Sequence, residues 1–106
     1  MTSPGDPAPI VCGLDAGSLT ERIDEWRAFV AASVVKVESD ATSVHLVLRE
    51  SEAALVLAAS LGQREKQCCE FFEVAIDIGR DRRALTLRVP DGAEEALATF
   101  VALLTP

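Results

Sequence analysis

Apolar residues recur at two different periods along this chain, and the order of those periods constrains its fold. Spacings of three and four residues, typical of helices, occur near 18–36, from about Ser51, and after Pro90. Strict alternation, typical of strands, occurs from Ser43 and again within 71–78 and 84–89. Each predicted element has one apolar side, which it must bury against another element. The pattern predicts an α+β fold, a two-layer α/β sandwich with helices on one small sheet.

A helix is predicted over 18–36 because its apolar residues form one stripe. The stripe consists of Leu19, Ile23, Trp26, Val30 and Val34. After a turn at 39–42, a strand directs Val44, Leu46 and Leu48 to one face. The other face of the sheet carries His45, Val47, Ala75 and Arg88. That mixture of side chains is compatible with exposure to solvent and with packing against a partner. The sequence therefore leaves open a homodimer or a complex with a partner protein.

The second helix contains Gly62, which either ends it or is accommodated within it. If the helix continues, Glu65 and Cys68 lie on the face of its buried leucines. If it stops at Gly62, the following segment is a separate turn and this alignment is lost. The sequence leaves both alternatives open.

The segments 71–78 and 84–89 are predicted to pair as an antiparallel hairpin, because both alternate and a short polar loop joins them. A third helix follows with a stripe at Leu97, Phe100, Val101 and Leu104. The sheet then has three strands, or four if Ile10–Leu14, around Cys12, forms another. The predicted core comprises Trp26, Leu46, Leu57, Ile76, Leu87, Leu97 and Phe100.

Length and charge exclude several classes of function. The chain has 106 residues and its first nine are rich in proline and small polar residues, which predicts a disordered tail at 1–9 and one globular domain over 10–106. Its net charge of −7 argues against nucleic acid and against a basic membrane-binding surface. Neither a membrane span nor a signal peptide is predicted. Three cysteines are no disulfide framework, so the predicted location is the reducing cytoplasm.

The adjacent pair Cys68-Cys69 is the feature of this chain that most suggests chemistry. Only one other cysteine exists, Cys12, and three thiols brought together would form a site for a soft metal or metalloid. On a regular helix, neighbouring side chains diverge by ~100°. At an irregular junction between a helix and a strand, both sulfurs could converge. The alternative is that the thiols only fill space in the core.

Two further side chains, Glu65 and His45, are of types that can bind metal ions. Glu65 stands three and four residues before the two thiols, within reach of either on a helix. It would be an oxygen ligand or a proton acceptor, or else a surface glutamate paired with an arginine. His45 is the only histidine, and a single one is more typical of a hydrogen-bonded or solvated residue. The predicted metal ligands are thus Cys12, Cys68, Cys69 and Glu65.

Three segments resemble a group of small bacterial proteins and domains that are sometimes associated with MerR-type regulators. The matching segments are Cys12-Gly13-Leu14, the helical stretch at 22–27, and Glu65-Lys66-Gln67-Cys68-Cys69-Glu70-Phe71-Phe72. Glu70 stands where that group has proline. The resemblance implies that the three thiols act as a unit, and it brings no defined activity with it.

Three functions are compatible with these residues. The first is a binding protein or sensor for a thiophilic ion such as Hg(II), As(III), Cu(I) or Zn(II). The second is a structural or protein-interaction domain that binds no ion. The third is a thiol redox protein, for which nearby Glu65 and Glu70 are unfavourable because they raise thiol pKa values. No phosphate loop, catalytic triad or pair of catalytic acids occurs, so the pattern does not favour an enzyme.

Overall fold

The computed structural model describes residues 16–68 and 70–104, which form an α+β fold. The described elements are α1 (Ala16–Ser33), β1 (Val34–Ser39), β2 (Ser43–Leu48), α2 (Glu52–Cys68), β3 (Glu73–Ile78), β4 (Arg83–Arg88) and α3 (Glu94–Leu104). The strands are antiparallel and lie in the order β1-β2-β4-β3. The predicted fold class is confirmed, including the hairpin formed by β3 and β4. No helix among the described residues is long and apolar enough to cross a membrane.

The core lies between the three helices and one face of the sheet, the inner face. In β2 and β4, Val44 lies opposite Leu87 and Leu46 opposite Leu85, and all four are fully buried. The helices add the aromatic rings of Trp26 and Phe100, which meet edge to face with centroids 5.2 Å apart. Of the predicted core residues, Trp26, Leu46, Leu87, Leu97 and Phe100 are buried.

The prediction of a helix over 18–36 was wrong at its end, because the chain enters β1 directly after Ser33. Strand β1 pairs with β2, and a bulge interrupts their register between Val34 and Lys36. Three β-branched valines in Val-Val-Lys-Val favour a strand over a helix, although no glycine or proline marks the boundary. The fourth strand is therefore β1. The alternative strand at Ile10–Leu14 lies outside the described residues.

Helix α2 continues through Gly62 to Cys68, so the first of the two alternatives holds. Gly62 serves close packing of α2 on the sheet. A Cβ atom at this position would lie 2.7 Å from Cγ1 of Val74 in β3, which is closer than real Cβ contacts. Because valine is stiff at χ1, it could not move aside cheaply. The glycine thus lets the helix approach β3 and keeps Glu65 on the inner side.

One predicted core position was wrong, and a second is only half-buried. Leu57 is 46% exposed, because the buried line of α2 runs through Ala54, Ala58, Leu61 and Glu65 instead. Leu57 is one residue from Ala58, which turns it ~100° away from the core. Ile76 packs against the core but is half-buried, since it belongs to the edge strand β3.

The outer face of the sheet is covered by no element among the described residues. His45 lies there on a central strand, with Nδ1 2.8 Å from Oγ1 of Thr86 and Nε2 3.4 Å from Oγ of Ser43. Ser43 in turn donates to Asp40 at 2.9 Å. His45 is thus a hydrogen-bonded residue of the sheet surface.

Candidate functional site

Glu65 is an acidic side chain buried among the three helices. Its side chain has no exposed surface. Nε1 of Trp26 donates a 2.9 Å hydrogen bond to Oε1, and Nη1 of Arg22 lies 3.5 Å from the same oxygen. The expectation of a surface glutamate was therefore wrong as to burial, although an arginine partner is present. A buried carboxyl needs such partners because its transfer from water is costly.

The packing of α1 against α2 determines this geometry. Arg49, just before α2, donates its backbone N–H to the carbonyl of Ser33 at 2.8 Å and its Nε to the carbonyl of Ala32 at 2.9 Å. The end of α1 is thereby tied to the start of α2, and the two helices run antiparallel. Farther along the pair, Glu25 accepts from Arg64, next to the contact between Trp26 and Glu65.

The second carboxyl oxygen of Glu65 is the unusual atom of the site. Oε2 is buried and receives no hydrogen bond from any residue that the structure describes. A narrow cavity adjoins Glu65, and its lining includes Arg22 and Ile23 of α1 and Phe100, Leu103 and Leu104 of α3. Its volume is about 10 Å³, near the lower limit for one water molecule. Buried polar atoms in proteins are nearly always satisfied, and a cavity of this size leaves room for at most a single small donor such as water.

Burial raises the pKa of the Glu65 carboxyl above its ordinary value. The hydrogen bond from Trp26 and the positive charge of Arg22 act in the opposite direction, but desolvation is the larger effect. Arg22 is the cation that faces the carboxyl from α1, and the α3 residues lining the cavity are apolar. The Glu65 carboxyl is therefore more readily protonated at this site than it is in water.

Replacing Glu65 with glutamine should stabilise the protein at neutral pH. The pKa of Glu65 is higher in the folded protein than in the unfolded chain, where it is about 4.3. The contribution of Glu65 to the free energy of unfolding is therefore most favourable below the unfolded-state pKa, and it is lost as pH rises through the folded-state pKa. Glutamine stays neutral throughout and its carbonyl can still accept from Trp26. Urea unfolding should therefore give similar stabilities near pH 4 and a more stable Glu65→Gln variant near pH 8.

Glu25→Gln is the matched control, since it makes the same chemical change on the same pair of helices. Glu25 is exposed and bound to Arg64, so its loss should cost ~0–1 kcal/mol at neutral pH. The two variants should thus change stability in opposite directions. A Glu65→Gln variant that is less stable than the wild type at pH 8 would contradict the dominance of desolvation.

The predicted thiol ligands are described only in part. Cys12 and Cys69 lie outside the described residues, and Cys68 is the last residue of α2. Cys68 follows Glu65 by three residues and Arg64 by four, so its helix position falls on the side of α2 that meets α1. Within 16–68 and 70–104, no three His, Cys, Asp or Glu side chains are grouped as metal ligands would be.

Trp26 and Arg22 are the residues of this site that sequence reasoning missed. Trp26 was expected in the core, but its hydrogen bond joins residues separated by 39 positions. Arg22 lies one helical turn before Trp26 within the Arg-x-x-Glu-Trp-Arg segment at 22–27. That spacing puts the two residues on one helix face, but the sequence does not indicate that this face meets Glu65.

No protein-family model, no curated protein and no solved structure matches this chain. The α+β fold and the buried glutamate are therefore the basis for any functional proposal.

Proposed function

We propose that this protein binds a thiophilic metal or metalloid ion through Cys12, Cys68 and Cys69, with Glu65 beside the ion or as a further ligand. The antiparallel arrangement of α1 and α2 is the observation that supports the proposal most directly. It brings the beginning of α1 to the end of the helix pair where α2 finishes at Cys68.

The length of the chain between Cys12 and α1 is compatible with such a site. Trp26 and Glu65 lie at the same height along the axes of α1 and α2, since a hydrogen bond joins them. Ala16 lies ten residues before Trp26 and Cys68 three residues after Glu65, which is ~15 Å and ~4.5 Å along the helices. The axial difference is ~10 Å, and the four residues from Ala16 back to Cys12 span up to ~14 Å.

Glu65 and Arg22 would tune such a site electrostatically. Arg22 lies one turn beyond the level of Glu65, toward the end of α2, where a positive charge lowers the pKa of a thiol and favours the thiolate that binds ions. Residues beside a metal ligand commonly fix its position and basicity in this way. Oε2 of Glu65 has no hydrogen-bond partner among the described residues, and it would need to become accessible before it could contact an ion.

The chemical class of ion follows from the donors. Three thiolates with at most one carboxylate suit soft or borderline ions such as As(III), Hg(II), Cu(I) or Zn(II) rather than Mg²⁺ or Ca²⁺. The thiols must be reduced to bind them, which fits a cytoplasmic location. The proposed activity is ion binding or sensing, without an enzymatic step.

Counting reactive thiols tests this function. In unfolded protein all three thiols should react with a thiol reagent, and Cd(II) should protect all three in the folded protein. Cys12→Ser should lower both the protection and the affinity for Cd(II), whereas Ser33→Ala, at the other end of α1, should leave both unchanged. If Cd(II) protects no thiols, the ion-binding proposal fails. If mild oxidant instead consumes two thiols, the redox alternative is favoured.

A further inference from the structure

Among the described residues, strand β3 is an edge strand of the sheet. Its pairing with β4 is regular over all six residues, from Glu73 opposite Arg88 to Ile78 opposite Arg83. No strand among the described residues pairs with its other side. A free edge offers a row of unpaired backbone N–H and C=O groups to another extended chain.

The opposite edge, β1, carries features that hinder such pairing. A bulge distorts β1 between Val34 and Lys36. Glu38 is bound there by Lys36 and by Arg82, both at 3.2 Å. Bulges and charged side chains are the usual means by which proteins protect sheet edges. Strand β3 has no bulge, lysine or proline, and its charged side chains, Glu73 and Asp77, are both acidic.

The two faces of β3 differ in chemistry. On the inner face, Val74 and Ile76 are half-buried and Ile78 is 66% exposed, so the apolar layer continues to the edge of the sheet. On the outer face, Glu73 and Asp77 are exposed acids. Glu73 lies 3.7 Å from Arg88, whereas Asp77 makes no ion pair with a described residue. A strand added here would place its alternate side chains against an apolar and an acidic surface.

We propose that the β3 edge binds an extended peptide segment of a partner protein in which basic and apolar residues alternate. Its apolar side chains extend the inner layer, and its basic side chains face Glu73 and Asp77. The net charge of −7 attracts the same class of partner. A second copy of this chain fits poorly, because in the antiparallel register centred on Ala75 each Glu73 faces the other copy's Asp77.

Binding of a labelled Lys-Val-Lys-Ile-Lys-Val peptide to the full chain tests this proposal, with Glu-Val-Glu-Ile-Glu-Val as the matched peptide. Fluorescence anisotropy should show at least tenfold tighter binding of the basic peptide, and its affinity should fall as salt increases. Backbone amide signals of 73–78 should shift on binding. The combined variant Glu73→Lys with Asp77→Lys should abolish or reverse the preference, whereas Glu38→Lys on β1 should keep it.

Other results would overturn the proposal. These are equal affinity for the two peptides, failure to bind either, or a preference that survives the double substitution at β3. Binding only after removal of residues 1–15 would assign the edge to the chain's own N-terminal segment. A dimer whose formation depends on Glu73 and Asp77 would assign it to a second copy. The peptide titrations and the charge substitutions leave all three thiols in place, so their outcome is independent of ion binding.

Discussion

Trp26→Ala should lower the free energy of unfolding by ~3–5 kcal/mol, the range for deleting a buried large aromatic side chain. Trp26 is 1% exposed and packs edge to face on Phe29 and Phe100. The substitution also removes the donor to Glu65 and leaves a buried carboxyl with Arg22 as its remaining described partner. Chemical denaturation followed by circular dichroism measures the loss, because Trp26 is the chain's only tryptophan.

Trp26→Phe separates the contribution of packing from that of the hydrogen bond. Phenylalanine retains an aromatic ring in the core but has no N–H for Glu65. It should cost less than the alanine variant, and adding Glu65→Gln should recover part of its loss because the neutral side chain depends less on a donor. The Phe variant also remains informative if the alanine variant does not fold. A loss below ~1 kcal/mol in Trp26→Ala would contradict the assigned role of the residue.

Leu87→Ala should cost ~2–5 kcal/mol, while the same substitution at Leu57 should cost less than ~1 kcal/mol. Leu87 is fully buried on β4, between Val44 of β2 and Val74 of β3. Leu57 is 46% exposed on α2, where alanine is at least as good a helix former. Urea unfolding of both variants compares identical chemical changes at a buried and an exposed site. Equal losses of stability in the two variants would contradict the assignment of Leu57 to the exposed face of α2.

The period of the apolar residues was sufficient to predict most of the sheet and all three helices. Alternation predicted β2, β3 and β4 because each has one buried face, and their short connections implied antiparallel pairing. Strand β1 was missed because it follows α1 without a loop, so Val34 was counted as the last residue of the helical stripe. Its strand conformation depends on pairing with β2, which is a tertiary interaction and outweighs local spacing.

The candidate site was less predictable than the fold. The position of Glu65 on the buried face of α2 depended on whether the helix passes Gly62, which it does, with the glycine packed closely against Val74. The bonds from Trp26 and Arg22 join two helices that are distant in sequence. The sequence pattern also predicted that Leu57 is buried. It is exposed, because it lies one residue from the buried line of α2. Local spacing predicts which faces are apolar, and packing decides which polar groups meet.

Arsenite binding measured by native mass spectrometry tests the central claim, a single ion site made of three thiols, most directly. As(III) bound to three thiolates replaces three thiol protons, and its three hydroxyl groups leave as water. The wild type should therefore gain one arsenic and lose three protons, and Cys12→Ser, Cys68→Ser and Cys69→Ser should each bind much more weakly. An absent adduct, or one that keeps its full affinity in Cys12→Ser, would contradict the three-thiol site.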